Sequence, residues 1–228
     1  MFIRAGILLM LFAALTAAAQ THPQAPSSSS KSKKSSSARL ASDIDAGTVV
    51  SGVYRNRALG LSCKIPAGWV LRTEEMNSRE ETGVSLTESA TKPLPQGAQR
   101  STEEPGRVLL AAFSRPPDAR GEDVNSSIVI AAEKAANYPG LEEAVQYFGP
   151  LTEVAKAHGF IVDSEPYETQ VGTKVLVRGD FHKDVGTRVM RQSTLALLAQ
   201  GYAVSITIIG GTEDEVEELV DGVGFGGK

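Results

Sequence analysis

The alternation of apolar and polar positions is clearest near the C-terminus. Within residues 174–183, Val175, Val177 and Phe181 fall on one face of an extended strand. Residues 188–199 form a second run, rich in valine, methionine, threonine and leucine, and Gln200 and Gly201 offer a tight turn out of it. In 202–209, Tyr202, Val204, Ile206 and Ile208 share one face, and Ser205 and Thr207 the other. Runs of this period with short connections predict an antiparallel meander.

The remaining elements arrange themselves around it. Residues 53–56 read as a short strand, and Leu59, Leu61, Cys63 and Ile65 alternate through a second. Pro66 and Gly68 turn the chain into Trp69, Val70 and Leu71. The apolar runs 107–114 and 126–132 predict two further strands, separated by Pro116, Pro117 and a loop over 118–125. Leu141, Ala144, Val145 and Phe148 then recur at helical spacing. Gly149 and Pro150 predict a break or kink, Leu151, Val154, Ala155 and His158 continue the apolar face, and Gly159 is placed as a C-terminal cap. Short runs at 160–163 and 167–170 lead into the meander. At the end, Thr212 caps an acidic helix over 213–221 with Val216, Leu219 and Val220 turned inward. The long polar stretch 73–106, with Pro93, Pro95, Gly97 and Pro105, reads as a functional lobe or a mobile insertion. This order predicts an α+β fold: an antiparallel β-sheet flanked by α-helices, an αβα sandwich.

Composition adds an address. The 228 residues are 41% hydrophobic and 22% charged, which fits one globular domain with accessory segments. Arg4 and the apolar run 5–19, ending in Ala17, Ala18 and Ala19, predict a signal peptide over 1–19 that is cleaved near Ala19. That run is shorter than the roughly 20 apolar residues a spanning helix needs. Residues 20–50 are rich in serine and lysine and predict a disordered linker, and 51–228 a single domain. Export to the periplasm, or secretion, is the expected location. The net charge of −4 argues against general nucleic-acid binding, which requires basic surface. Cys63 is the sole cysteine, so no intramolecular disulfide forms.

The chain resembles the PsbP-like domains at several points. Gly60 and Leu61, followed by Ile65, Pro66, Gly68 and Trp69, are similar to that family's opening motif. So is the close: a central helix, a meander with Tyr202 after Gly201, and a C-terminal helix running into 220–225. The likeness spans about 53–225 and departs from the family in the stretch 73–107 and in Leu61, where an aromatic is usual. It implies an antiparallel sheet flanked by helices and a non-enzymatic accessory or binding role.

Candidate chemistry is sparse. Asp180, His182 and Asp184 alternate along one strand, a donor set suited to a metal or to acid–base work. Arg178 shares their face, which matches a solvated strand as well. Cys63 falls in phase with Leu61 and Ile65, in a buried position, and His158 sits where a helix cap is expected. Asp123, Ser126 and Ser127 lack a nucleophile elbow and a histidine partner, and Gly210 and Gly211 precede an acidic first turn that repels phosphate. Trp69 after its Pro-x-Gly turn reads as a lid on the core. No cofactor and no metal site is implied. The expected function is an exported, non-enzymatic accessory or binding protein of the cell envelope, a monomer acting on a protein partner or small ligand. The acting surface is either the sheet or the segment 73–107. The alternative is a weak hydrolase or metal-dependent enzyme using Asp180 and His182. Lys31, Lys33 and Lys34 also offer a weak contact for an anionic membrane surface.

Overall fold

A computed structural model describes residues 44–81, 106–119 and 123–226. The expected signal peptide, the lysines at 31, 33 and 34, and most of the expected linker lie outside the described residues. So does most of the polar stretch after residue 81.

The chain runs β1 (Thr48–Val50), β2 (Val53–Asn56), β3 (Leu61–Lys64), β4 (Val70–Leu71), α1 (Thr73–Glu81), β5 (Arg107–Phe113), β6 (Ser127–Lys134), α2 (Ala144–Ala157), β7 (Ile161–Val162), β8 (Tyr167–Val171), β9 (Lys174–Val185), β10 (Arg188–Ala199), β11 (Tyr202–Gly210), α3 (Glu213–Asp221) and β12 (Val223–Phe225). The meander is β9–β10–β11, with Ala199 opposite Tyr202 across a turn in which Gln200 and Gly201 both take positive φ. That conformation matches the right-handed twist of the flanking strands.

The strands form two antiparallel sheets. Eight strands build the large one, in the order β4-β5-β6-β11-β10-β9-β7 with β8 also on β9, and β1-β2-β3-β12 build the small one. One face of the large sheet buries Leu195, Leu197, Val204, Ile206, Ile208, Ile128 and Ile130 against the small sheet and against Val216, Leu219 and Val220 of α3. On the other face, Tyr147, Phe148, Leu151 and Ala155 of α2 cover Val177, Phe181, Ala196 and Ala203, while Met76 of α1 covers Val108, Val129 and Ala131. The α+β expectation is therefore right in its coarse form. The finer expectation of one sheet between layers of helix is met only in part: α1 and α2 cover one face, but on the other α3 shares the cover with a second sheet. The pattern of 204–209 hints at the cause: both faces of β11 are buried, so both must find a cover.

Three further stretches depart from their expectations or sharpen them. The linker does not extend to residue 50: Ile44 is buried and β1 pairs with β2, while Asn56 Nδ2 donates to Asp45 O at 2.6 Å and Tyr54 Oη to Ala46 O at 3.1 Å. Of the break or kink expected at Gly149 and Pro150, the break does not form: Pro150 lies inside α2, which continues to Ala157 as the apolar face predicts. Proline there removes one interior amide, and the burial of Tyr147, Phe148, Leu151 and Ala155 offsets the loss. The polar stretch 73–106 begins as the helix α1, whose Thr73 and Asn77 side chains hold the edge of β5.

The two margins of the large sheet differ as a result. Asn77 imitates a neighbouring strand, accepting from Val108 N and donating to Val108 O at 2.9 Å each, and Ala111 N donates to Thr73 Oγ1 at 2.9 Å. At the opposite margin β8 pairs only with β9 among the described strands. Among the described residues, no helix is long and apolar enough to cross a membrane.

Candidate functional site

The second margin of the sheet is a single edge strand broken by a bulge. Val162 of β7 stands opposite Phe181 and Tyr167 of β8 opposite Arg178, so 163–166 oppose only 179 and 180. Such excess residues bend a strand and re-aim its side chains. Here they turn Asp163, Ser164 and Tyr167 over the sheet, facing Glu213, Val216 and Glu217 of α3 across an open cleft of about 350 Å³. Arg178, Asp180 and Arg191 supply its floor.

A guanidinium bridges that floor to the helix. Arg178 Nε donates to Asp180 Oδ1 at 2.9 Å and Oδ2 at 3.1 Å, while Nη1 donates to Glu217 Oε2 at 3.0 Å and Nη2 to Glu217 Oε1. Only 11% of the arginine side chain is exposed. Glu217's hydrogen bonds, with those of Asp180, hold its pKa above the usual arginine range despite burial. Tyr167 Oη donates to Asp180 Oδ2 at 3.0 Å, and burial followed by this bond raises the phenol's pKa. Directly opposite Asp180 in the register, Ser193 is fully buried and its Oγ has no hydrogen-bond partner among the described residues. The 180/193 position is a close, non-hydrogen-bonded pair, so the two side chains leave the sheet on the same face.

Asp180 and His182 do share the face that the alternation predicts, but they have different partners. Asp180 serves Arg178 and Tyr167, whereas His182 Nδ1 meets Asp163 Oδ1 from the bulge. Asp184 is exposed near the end of β9. Among the described residues no three His, Cys, Asp or Glu side chains stand close enough to share a metal ion. The face is also not the solvated one that Arg178 suggested, since α3 and Tyr167 fold over it. Sequence reasoning missed Asp163, Tyr167, Arg191, Glu213 and Glu217. Two signals were present: the polar interruption at 163–166 between two short strand-like runs, and a helix carrying carboxylates without one basic residue.

The other singled-out residues are structural. Cys63 is fully buried, and burial pushes its thiol up to about 12. His158 is the C-cap of α2, its carbonyl accepts from Lys183 Nζ at 2.6 Å, and burial and Lys183 lower its pKa. Ser126 Oγ donates to Glu215 Oε1 at 2.5 Å and Gly211 N to Glu215 Oε2 at 2.8 Å, which occupies both the serine and the amide ahead of α3. Trp69 packs, half-buried, against the main core.

No family model matches the chain, and none of the curated proteins matches it. Solved structures give faint likenesses. A protein from Bacteroides thetaiotaomicron is 11% identical with a TM-score of 0.35, over 74% of this chain and 46% of its own. PA94 of Pseudomonas aeruginosa, a protein of unknown function, is 15% identical with a TM-score of 0.32, over 55% of this chain and 78% of its own. LpqN of Mycobacterium tuberculosis, involved in cell envelope biogenesis, is 12% identical with a TM-score of 0.31, over 71% of this chain and 76% of its own. None reaches a TM-score of 0.5, so nothing of their roles transfers to this chain. No PsbP-like family is among these findings, and that resemblance rests on the residues that suggested it.

Proposed function

We propose that the chain is an exported, non-enzymatic accessory or binding protein of the cell envelope, and that the cleft between α3 and the bulged edge is its binding surface. The observation that carries this reading is the bridge from Arg178 to Asp180 and Glu217. It ties β9 to a helix 39 residues away in sequence and fixes the polar groups of the cleft before any ligand arrives. Preorganised polar groups on rigid elements are what a recognition site requires. Export rests on the apolar run 5–19, and the lysines at 31, 33 and 34 are proposed to touch an anionic envelope surface weakly. The enzymatic alternative would need Asp180 and His182 to act on one reacting atom, whereas each is committed to a different side chain.

The test is capture of partners from the native envelope by crosslinking, comparing the natural protein with Ser164→Trp. Ser164 is an exposed residue of the bulge, and an indole there fills the cleft without entering the core. Loss of a reproducible partner in the variant is expected. Equal capture by both proteins would remove the cleft from the account.

A further inference from the structure

The cleft is short of positive charge. Asp163, Asp180, Glu213 and Glu217 line it against Arg178 and Arg191, and Arg178 alone serves two of the carboxylates. The flanks deepen the imbalance: Asp214, Glu218 and Asp221 are exposed on α3, and Glu165 and Glu168 are exposed on the edge segment. Like charges held this close favour a visiting cation.

An independent feature says what form the cation takes. The hairpin from β8 to β9 closes over Gly172 and Thr173, with Val171 opposite Lys174. In a two-residue hairpin that flanking pair exchanges backbone bonds, so 167, 169 and 171 turn their amides and carbonyls towards β9. Asp163 N, which donates to Asp180 O at 2.9 Å, confirms that even-numbered positions of β9 face this margin. Glu168 and Gln170 therefore direct their backbone N–H and C=O outward, and no described strand takes them. Tyr167 and Ile161 are exposed large apolar side chains on the same margin. Unpaired edge groups beside side-chain pockets form the recognition mode in which an extended peptide adds a strand.

Building on the cleft as the binding surface, we infer that its ligand is an extended, lysine- or arginine-bearing segment of another protein. The segment pairs its backbone with Glu168 and Gln170 and places a basic side chain among Asp163, Asp180, Glu213 and Glu217. The alternating period of a strand directs every second side chain towards the cleft face.

The experiment titrates the full mature chain against a fluorescent synthetic peptide alternating lysine and valine, read by anisotropy. A glutamate–valine counterpart and free lysine amide serve as comparators. The lysine peptide is expected to bind, weaken steeply with added salt, and lose roughly tenfold in Glu213→Gln. A loss of about tenfold is also expected in Gln170→Pro, which removes an outward amide at a position where an edge strand tolerates proline. Methylating the peptide's backbone amides should reproduce that loss without altering the protein, and it decides the matter if Gln170→Pro does not fold. Binding of the glutamate peptide, salt-independent binding, or binding unaffected by both backbone changes would each overturn the inference. So would free lysine amide binding as tightly as the peptide. If envelope capture depends on Ser164 while the lysine peptide does not bind, only the ligand class is wrong; if capture ignores Ser164→Trp, the cleft reading itself falls.

Discussion

Replacing Arg178 with methionine keeps most of the side-chain volume and removes the one cation that serves both Asp180 and Glu217. The guanidinium makes charge-assisted bonds to each, two of them at 2.9 and 3.0 Å. Breaking a fully buried ion pair costs about 3–5 kcal/mol, because the abandoned charge stays out of water. Here the abandoned carboxylates are 23% and 46% exposed, so both regain hydration, and Asp180 keeps the Tyr167 hydroxyl at 3.0 Å. Solvent therefore discounts the cost to about 2–3 kcal/mol. With a urea dependence of about 2 kcal/mol per molar, the unfolding midpoint should fall by roughly 1–1.5 M. Arg178→Lys should recover less than half of that, since an ammonium lacks the planar fork that reaches two carboxylates at once. Equilibrium urea denaturation followed by circular dichroism measures all three proteins. A midpoint shift below about 0.2 M for Arg178→Met, some 0.4 kcal/mol on the same slope, would mean that solvent already screens the bridge. The cleft would then not be preorganised by it.

Two further outcomes follow from the packing. A methyl group added at Gly179 would lie 2.5 Å from Phe148 Cε1 and 3.0 Å from Cδ1, and that ring is buried among α2's contacts. Gly179→Ala should cost about 1–3 kcal/mol and lower the thermal midpoint by several degrees, with Phe148→Leu in the same chain restoring part of the loss. Cys63 should resist thiol reagents in the native protein at neutral pH and react once the chain is unfolded in denaturant. Its folded pKa, pushed by burial from 9.0 to about 12, also sets a sign. Between those values the native state keeps a proton that the unfolded state has released, so stability is full below pH 9 and declines as pH rises towards 12. Cys63→Ala should flatten that decline between pH 9 and 10, ahead of Tyr54, whose own value rises from 10.0 to about 12. An unchanged slope would contradict the burial assigned to the thiol.

What the chain reveals on its own is governed by local rules. The apolar content of 188–199 and the period of two in 202–209 mark both strands nearly to the residue, because a pleated, buried strand needs apolar side chains on its covered faces. Thr212 announces α3 by a bond to Glu215 N three residues on, at 3.1 Å. Asp180 and His182 are legible as one face of one strand for the same reason.

Tertiary structure alone decided the rest. Whether Pro150 ends a helix depends on the sheet that buries Phe148 and Leu151, and no periodicity reports that gain. Burial of Ile44 and the pairing of β1 depend on a core assembled from residues far along the chain, with Phe225 closing against Gly172 so tightly that a Cβ there would lie 2.2 Å from its carbonyl. The second sheet follows from the same cause: a strand buried on both faces requires two covers, but its sequence does not say which segments supply them. The cleft shows the limit most plainly. Its bonds join Arg178 to Glu217 across 39 residues and Asp163 to His182 across 19. Register and a bulge set those partnerships, and a shift of one residue in either would turn the strand-borne side chains among them to the opposite face and away from Glu217.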